Sequence, residues 1–323
     1  MKTLSRRLAS ALASALLLTL LSISTALQAA SQDPTAIRIG YQKGSVSMVL
    51  AKAHHLLEQR YPHTQIRWVE FPAGPQMLEA LNVGSIDLGS TGDIPPLFAQ
   101  AAGADLLYVG AEPPKPKAEV ILVPANSAIK TVADLKGHKV ALQKGSSSHN
   151  LLLRALQKAG LSFQDIQPVW LTPADARAAF QQGNVDAWAI WDPYYSAALQ
   201  HGDVRVLTDG SQLNLTGSFY LATRSYAQAH GDFIQSVLDI FSQADALTQS
   251  QRAQSTQLLA QSMGLPVSVI SSYLDHRPPT RISPVGEATV QAQQHTADLF
   301  YQNHLLPVKL DVASHIWRGA TVQ

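Results

Sequence analysis

The sequence predicts an α/β protein made of two similar lobes that face each other across a cleft. Three observations carry that expectation. Apolar strand patterns alternate with helical ones along most of the chain; the tetrapeptide Gln-Lys-Gly-Ser occurs at Gln42 to Ser45 and again at Gln143 to Ser146, each time ending an apolar run; and Gly84, Asp87 and Asp93 recur as Gly183, Asp186 and Asp192, all displaced by 99 residues.

The chain opens on MKTLSRRLASALASALLLTLLSISTALQAA, with a basic head at Lys2, Arg6 and Arg7, a Leu/Ala-rich run, and small residues at its end. Residues 1–30 therefore read as a secretory signal peptide, and Ser and Thr within the run argue against a membrane anchor. The absence of cysteine excludes a lipid-modified N-terminus and disulfide staples, so an exported chain of this kind depends on a sizeable core. A formal net charge of +1 argues against a nucleic-acid partner.

The first repeat, IRIGYQKGSVSMVLAKAHHLLEQRYP, reads as strand, glycine turn and helix, and KVALQKGSSSHNLLLRALQKAGL repeats that order. Strands are expected near 37–42, 65–70 and 86–89 in the first half, and near 139–143, 166–171 and 186–190 in the second. Such alternation makes a parallel sheet covered on both faces, with ligands bound at the carboxyl ends of the strands. AEVILV and GSFYLATRSYAQ read as the outward and return connections, crossing near Pro124 and Phe219. Lobe I is then 31–123 with 220–323, lobe II is 124–219, and two crossings make a hinge.

Each Gln-Lys-Gly-Ser turn feeds a helix whose first N–H groups lack intrahelical partners, which attracts anions. On one wall stand Gln42 and the Ser90-Thr91-Gly92 turn; on the other Gly145, Ser146, Ser147, Ser148 and His149 offer a cradle of neutral donors suited to an ionised oxyanion. Asp93 and Asp192 precede helices that carry proline in the first turn and read as N-caps. Asp192 belongs at the edge of the site with its oxygens occupied, because an unpaired carboxylate repels an ionised oxyanion. Trp191 offers a flat apolar face for an alkyl chain, whereas Tyr194, Tyr195 and Phe219 read as packing. His54, His55 and Glu58 lack a metalloprotease spacing, and neither a GxSxG elbow nor a Walker motif occurs, so no metal, cofactor or catalytic set is expected. EPPKPK, at 112–117, reads as a stiff basic surface loop.

Five stretches, FPAGPQMLEALNVGSIDLGSTGDIPP, GAEPPKPKAEVILV, QKGSSSHNLLLRAL, QQGNVDAWAIWDPYYSAAL and LDHRPPT, give the chain a resemblance to the periplasmic aliphatic sulfonate-binding proteins of bacterial ABC importers, within the group that includes taurine- and nitrate-binding proteins. The resemblance implies a type II periplasmic binding protein fold, a monomer that closes on an alkanesulfonate, and delivery to a membrane permease driven by a cytoplasmic ATPase. By motif it places Gln42, Thr91, Gly92, Ser146, Ser147, Ser148, His149 and Trp191 against the ligand. The competing readings are a binder of taurine or another small oxyanion, and an enzyme of the thiamine-pyrimidine-synthase kind. The latter fits a cytoplasmic chain with a cofactor-linked lysine.

Overall fold

Residues 33–200 and 202–319 are described in the structure, a computed structural model; the expected signal peptide lies outside them. In chain order the strands are β1 (Ala36–Tyr41), β2 (Gln65–Glu70), β3 (Leu88–Thr91), β4 (Leu106–Glu112), β5 (Glu119–Pro124), β6 (Lys139–Leu142), β7 (Gln167–Trp170), β8 (Ala187–Trp191), β9 (Val204–Asp209) and β10 (Ser218–Thr223). Between them run α1 (Val46–Ala53), α2 (Leu56–Arg60), α3 (Gly74–Asn82), α4 (Ile94–Ala101), α5 (Ser147–Lys158), α6 (Pro173–Gln181) and α7 (Tyr194–Leu199). After β10 the chain is helical, with α8 (Arg224–Ser250), α9 (Arg252–Met263), α10 (Val267–His276) and α11 (Glu287–Gln302).

The strands form two five-stranded sheets, ordered β2-β1-β3-β10-β4 and β7-β6-β8-β5-β9. Neither is purely parallel, which corrects the expectation: β10 runs antiparallel to β3 and β4, and β5 antiparallel to β8 and β9. The reason is the direction of travel. The strand before each crossing ends where the other parallel strands of its sheet end, so the strand after it starts at that edge of the next sheet and runs away from it.

Because β5 belongs wholly to the second sheet, the first crossing occupies residues 113–118, upstream of the expected Pro124. The return occupies 210–217. The two crossings run side by side: Gly210 N–H donates to the Pro116 carbonyl at 2.8 Å, and a Cβ on Gly217 would lie 1.7 Å from the Glu112 carbonyl oxygen. Only glycine fits at 217.

The 99-residue repeat has a structural counterpart. Asp87 N–H donates to the Arg38 carbonyl at 2.8 Å and its carboxylate accepts the Arg38 N–H at 2.8 Å; Asp186 does the same with Lys139, at 2.9 and 2.8 Å. Each aspartate thereby joins the third strand of its unit to the first. Gly84 and Gly183, just past the ends of α3 and α6, both adopt positive φ, +68° and +72°, the left-handed exit that glycine allows.

Helices α8 and α9 pack on the first sheet, with Ile234, Val237, Phe241, Leu259 and Met263 joining Ile37, Ile39 and Leu50 in one buried cluster. On the opposite face, Phe300 of α11 joins Tyr108 and Phe219. The helical tail is thus built onto the first sheet. The second sheet has its own buried layers, around Leu142 and Leu152 on one face and Trp188 and Phe180 on the other.

Candidate functional site

The carboxyl ends of β1 and β3 from the first sheet face the ends of β6 and β8 from the second across a cavity of about 90 Å³. Four helices of eight or more residues begin on its wall: α1 after Gly44 and Ser45, α3 at Gly74, α4 after Thr91 and Gly92, and α5 at Ser146 and Ser147. Helix N-termini present free donors and the positive end of the dipole. Helices α3 and α4 carry proline in their first turns, which removes N–H groups, whereas α1 and α5 carry none. The two Gln-Lys-Gly-Ser turns therefore supply the two helix starts whose N–H sets are intact, one on each side. Both turns close in the same way, Ser45 N–H to the Gln42 carbonyl at 2.9 Å and Ser146 N–H to the Gln143 carbonyl at 3.3 Å.

Of the residues singled out from sequence, Gln42, Ser90, Thr91, Gly92, Ser146, Ser147, Trp191 and Asp192 line this cavity; Gly145, Ser148 and His149 do not. The Gln42 amide is steered by donation to the Ser90 carbonyl at 3.1 Å. The Thr91 hydroxyl is buried and without a hydrogen-bond partner among the described residues. Gly74 makes room for it, since a Cβ there would lie 1.9 Å from Thr91 Oγ1. Gly92 and Ser147 meet from opposite sheets: a Cβ on Gly92 would be 2.9 Å from Ser147 Cβ.

The row of three serine hydroxyls divides. Ser146 Oγ donates to the Gln143 carbonyl at 2.7 Å and pairs with Ser148 Oγ at 2.8 Å, leaving Ser147 beside Gly92. Helix geometry explains this, because consecutive residues at a helix start point about 100° apart. His149 is fully buried among Phe98, Phe163, Trp170 and Phe300, and its Nδ1 accepts the Gly145 N–H at 3.3 Å. Burial, aided by nearby Lys144, lowers its pKa to about 3, so the imidazole is neutral and locks the turn.

The two matched aspartates diverge. Asp192 is not the N-cap of α7, which is Pro193, and this corrects the expectation; from one residue earlier it accepts Ser196 N–H at 2.9 Å through one oxygen and contacts His276 Nδ1 at 2.8 Å through the other, so both its oxygens are occupied. Asp93 makes no side-chain cap, which corrects the expectation for that residue. Its carboxylate instead accepts from Asn150 Nδ2 at 2.6 Å and Thr216 Oγ1 at 2.9 Å, reaching from α4 to α5 and the return crossing. The prolines of α4 remove the N–H donors that a capping carboxylate would need.

Sequence reasoning missed three charged residues of the wall. Glu112, Lys115 and Glu119 flank the first crossing and line the cavity. Lys115 Nζ pairs with Glu112, which also accepts from Tyr220 at 2.8 Å. Burial raises the Glu112 pKa, but Lys115 and Arg277 outweigh it and hold the group below its ordinary value. At Glu119 the balance is reversed: burial first and the neighbouring Asp93 second raise its pKa to about 8, against smaller opposing effects of Ser147 and of Lys115, which is shared with Glu112. The signal for Glu112 and Lys115 was the EPPKPK stretch, which leads through the crossing and is not an outer surface loop, whereas Glu119 opens the β5 strand.

Beyond the polar turns the wall becomes apolar. Trp191, partner of Glu119 in the β5–β8 ladder, stands edge-on to Tyr194 with ring centroids 6.3 Å apart. Tyr194 borders a second, wider cavity of about 410 Å³ with Lys43, Glu70 and Arg177 on its wall. Among the described residues no His, Cys, Asp or Glu group has the arrangement of a metal site, and no helix is long and apolar enough to cross a membrane.

Residues 68–251 match the family model described as NMT1/THI5 like. A protein of Escherichia coli (strain K12) named for binding aliphatic sulfonates is 74% identical over 304 residues, 94% of this chain and 95% of the relative. Among solved structures, the periplasmic aliphatic sulphonate binding protein of Escherichia coli superimposes with a TM-score of 0.83 at 74% identity, over 90% of this chain and all of that one. The alkanesulfonate-binding protein of Xanthomonas axonopodis pv. citri, bound to MOPS, gives 0.87 at 61% identity, over 88% and 99%.

Proposed function

Since the chain belongs to the NMT1/THI5-like family and is a member of the aliphatic sulfonate-binding proteins, we propose that it captures an aliphatic sulfonate in the cavity between its two sheets and hands it to an ABC importer. It is a binding protein and not an enzyme. The observation that carries this reading is the convergence of four helix N-termini and the unpartnered Thr91 hydroxyl on one cavity that ends in Trp191.

A sulfonate is fully ionised and carries no proton, so it can only accept hydrogen bonds. Moving it out of water requires replacement donors, and helix-start N–H groups with hydroxyls supply them without burying a counter-ion. Gln42, Ser90, Thr91 and Gly92 form the wall from the first sheet; Ser146 and Ser147 form the wall from the second. Gly145, Ser148 and His149 shape the second turn from behind. Trp191 takes the alkyl chain, and Asp192 holds the rim. Two lobes, divided at 113–118 and 210–217, close about these paired crossings, and closure is favoured because only the closed state offers donors from both sides to one anion. Export by the N-terminal segment places the protein in the periplasm, as a monomer that meets the permease there.

The test is calorimetric titration of the mature protein, freed of carried-over ligand, with ethanesulfonate, taurine and sulfate. Tight binding of the alkanesulfonate and weak binding of sulfate supports a donor cradle with an apolar wall. A folded protein that gives no heat with ethanesulfonate overturns the reading.

A further inference from the structure

Around the cavity Glu112 and Asp192 have partners at both carboxylate oxygens, whereas Asp93 and Glu119 form no ion pair among the described residues. Lys115 is held by Glu112, and Arg277, the other cation close to Glu112, is held by Asp245 at 2.7 Å. Asp192 is occupied by Ser196 and His276; Asp93, which is off the cavity wall, takes both Asn150 and Thr216 at Oδ2 while its buried Oδ1 has no hydrogen-bond partner among the described residues, and burial raises its pKa to about 6, with Arg154 of α5 nearby. Tyr273 of α10 turns its hydroxyl to the Gly44 carbonyl at 2.5 Å. Of Asp93 and Glu119, it is Glu119, the first residue of β5, that stands on the cavity wall, near Ser147 and near Lys115, whose Nζ is paired with Glu112.

An ionised Glu119 beside a bound sulfonate would place two like charges together on a wall whose one cation, Lys115, is already paired with Glu112. A sulfonate cannot take up a proton at any pH a folded protein experiences, so relief comes only from the carboxylate. Resting on the sulfonate-binding reading of this cavity, we propose that Glu119 enters the complex as a neutral carboxylic acid and donates a hydrogen bond to a sulfonate oxygen, so that binding takes up one proton from solvent. The balance is simple: the Glu119 carboxylate gains the proton, its O–H points at the anion, and nothing leaves. The raised pKa of Glu119 before any ligand arrives fits this role, and a bound anion raises it further.

The sign follows from linkage. Below pH 7 Glu119 is already protonated in the free protein, so binding takes up almost nothing; near pH 8 each binding event takes up about half a proton and above about pH 9 close to one, and affinity falls as pH rises. With a free pKa of about 8, affinity for ethanesulfonate drops about 30-fold between pH 6 and pH 9.5.

The experiment is titration calorimetry of the mature protein with ethanesulfonate from pH 6 to 9.5, run at each pH in two buffers of different ionisation enthalpy. Proton uptake that climbs toward one per sulfonate above pH 8, together with the affinity loss, is the expected result. Glu119→Gln keeps an N–H donor and has no proton to lose, so its affinity should be independent of pH from 7 to 9.5, above the range in which Asp93 titrates; Glu119→Ala, without a donor, should bind at least several-fold more weakly at pH 7. Tight binding with no proton uptake and a flat pH profile overturns this proposal while leaving the sulfonate reading intact. A Glu119→Gln variant that keeps the parent's pH slope overturns it too, and absence of ethanesulfonate binding at every pH overturns both.

Discussion

Gly92→Ala tests the contact on which closure depends. Gly92 comes from the turn after β3 and Ser147 from the first turn of α5, and a Cβ added at 92 would sit 2.9 Å from Ser147 Cβ and 3.3 Å from its Oγ. Carbon atoms in good contact stand about 3.5–4.0 Å apart, so the two walls must separate by about 0.6–1.1 Å or the serine must turn away. Overpacking of this kind costs about 1–3 kcal/mol. The open form, in which the walls do not touch, escapes that cost, so the loss falls on ligand affinity: about 5- to 150-fold in Kd. The assay is calorimetric titration with ethanesulfonate beside a thermal melt of the unliganded protein. Gly286→Ala is the control, since a Cβ there has nothing within 4 Å. A folded Gly92→Ala protein with an affinity within twofold of the parent would refute the claim that these walls meet around the ligand.

Three further outcomes follow from the same geometry. Trp191→Ala should flatten the gain in affinity along a series from methanesulfonate to hexanesulfonate, a gain of about 0.8 kcal/mol for each fully buried methylene in the parent; an unchanged increment in titration places the alkyl chain elsewhere. Gly145→Ala should lower stability by about 1–2 kcal/mol through its φ of +71°, read by urea denaturation, while ethanesulfonate affinity changes less than threefold because Gly145 is off the cavity wall. Arg277→Met removes the partner of buried Asp245 and should cost about 3–5 kcal/mol in the same denaturation assay; a loss under 1 kcal/mol would show that the pair is not buried as described.

The repeat was legible because backbone chemistry repeats with it. Asp87 and Asp186 each need a carboxylate to accept one particular N–H, and Gly84 and Gly183 each need positive φ, so these residue types recur at a fixed distance. Strands β4 and β9 escaped the reading. DLLYVGAE is a continuous apolar run with no alternation, and VRVLTD, half-buried throughout, sits at a sheet edge with a weaker pattern. The parallel sheet was an overextension of the βαβ rule to strands that arrive from the other sheet.

The site was legible at the turns and obscure at the crossing. Helix starts after a strand announce themselves through glycine and serine, which located Gln42, Gly92, Ser146 and Ser147 on the cavity wall. Which serine faces inward depends on helix phase, and a one-residue error in phase separates Ser147 from Ser148. Glu112 and Lys115 were hidden because a charged, proline-rich stretch reads as solvated surface, and Glu119 because it reads only as the start of a connecting strand; only the topology turns them inward. Asp93 misled for a related reason: it has the residue type and place of a cap, but Asn150 and Thr216 offered a better set of donors.

The most direct test of the central claim is a crystal structure of the mature protein with 1-butanesulfonate bound. The account predicts the sulfonate oxygens within hydrogen-bond distance of the Thr91 hydroxyl and of the helix-start N–H groups around Gly92 and Ser147, with the butyl chain against Trp191. A sulfonate seated instead in the wider cavity bordered by Lys43 and Arg177, with the turns at Gly92 and Ser147 unoccupied, would contradict it.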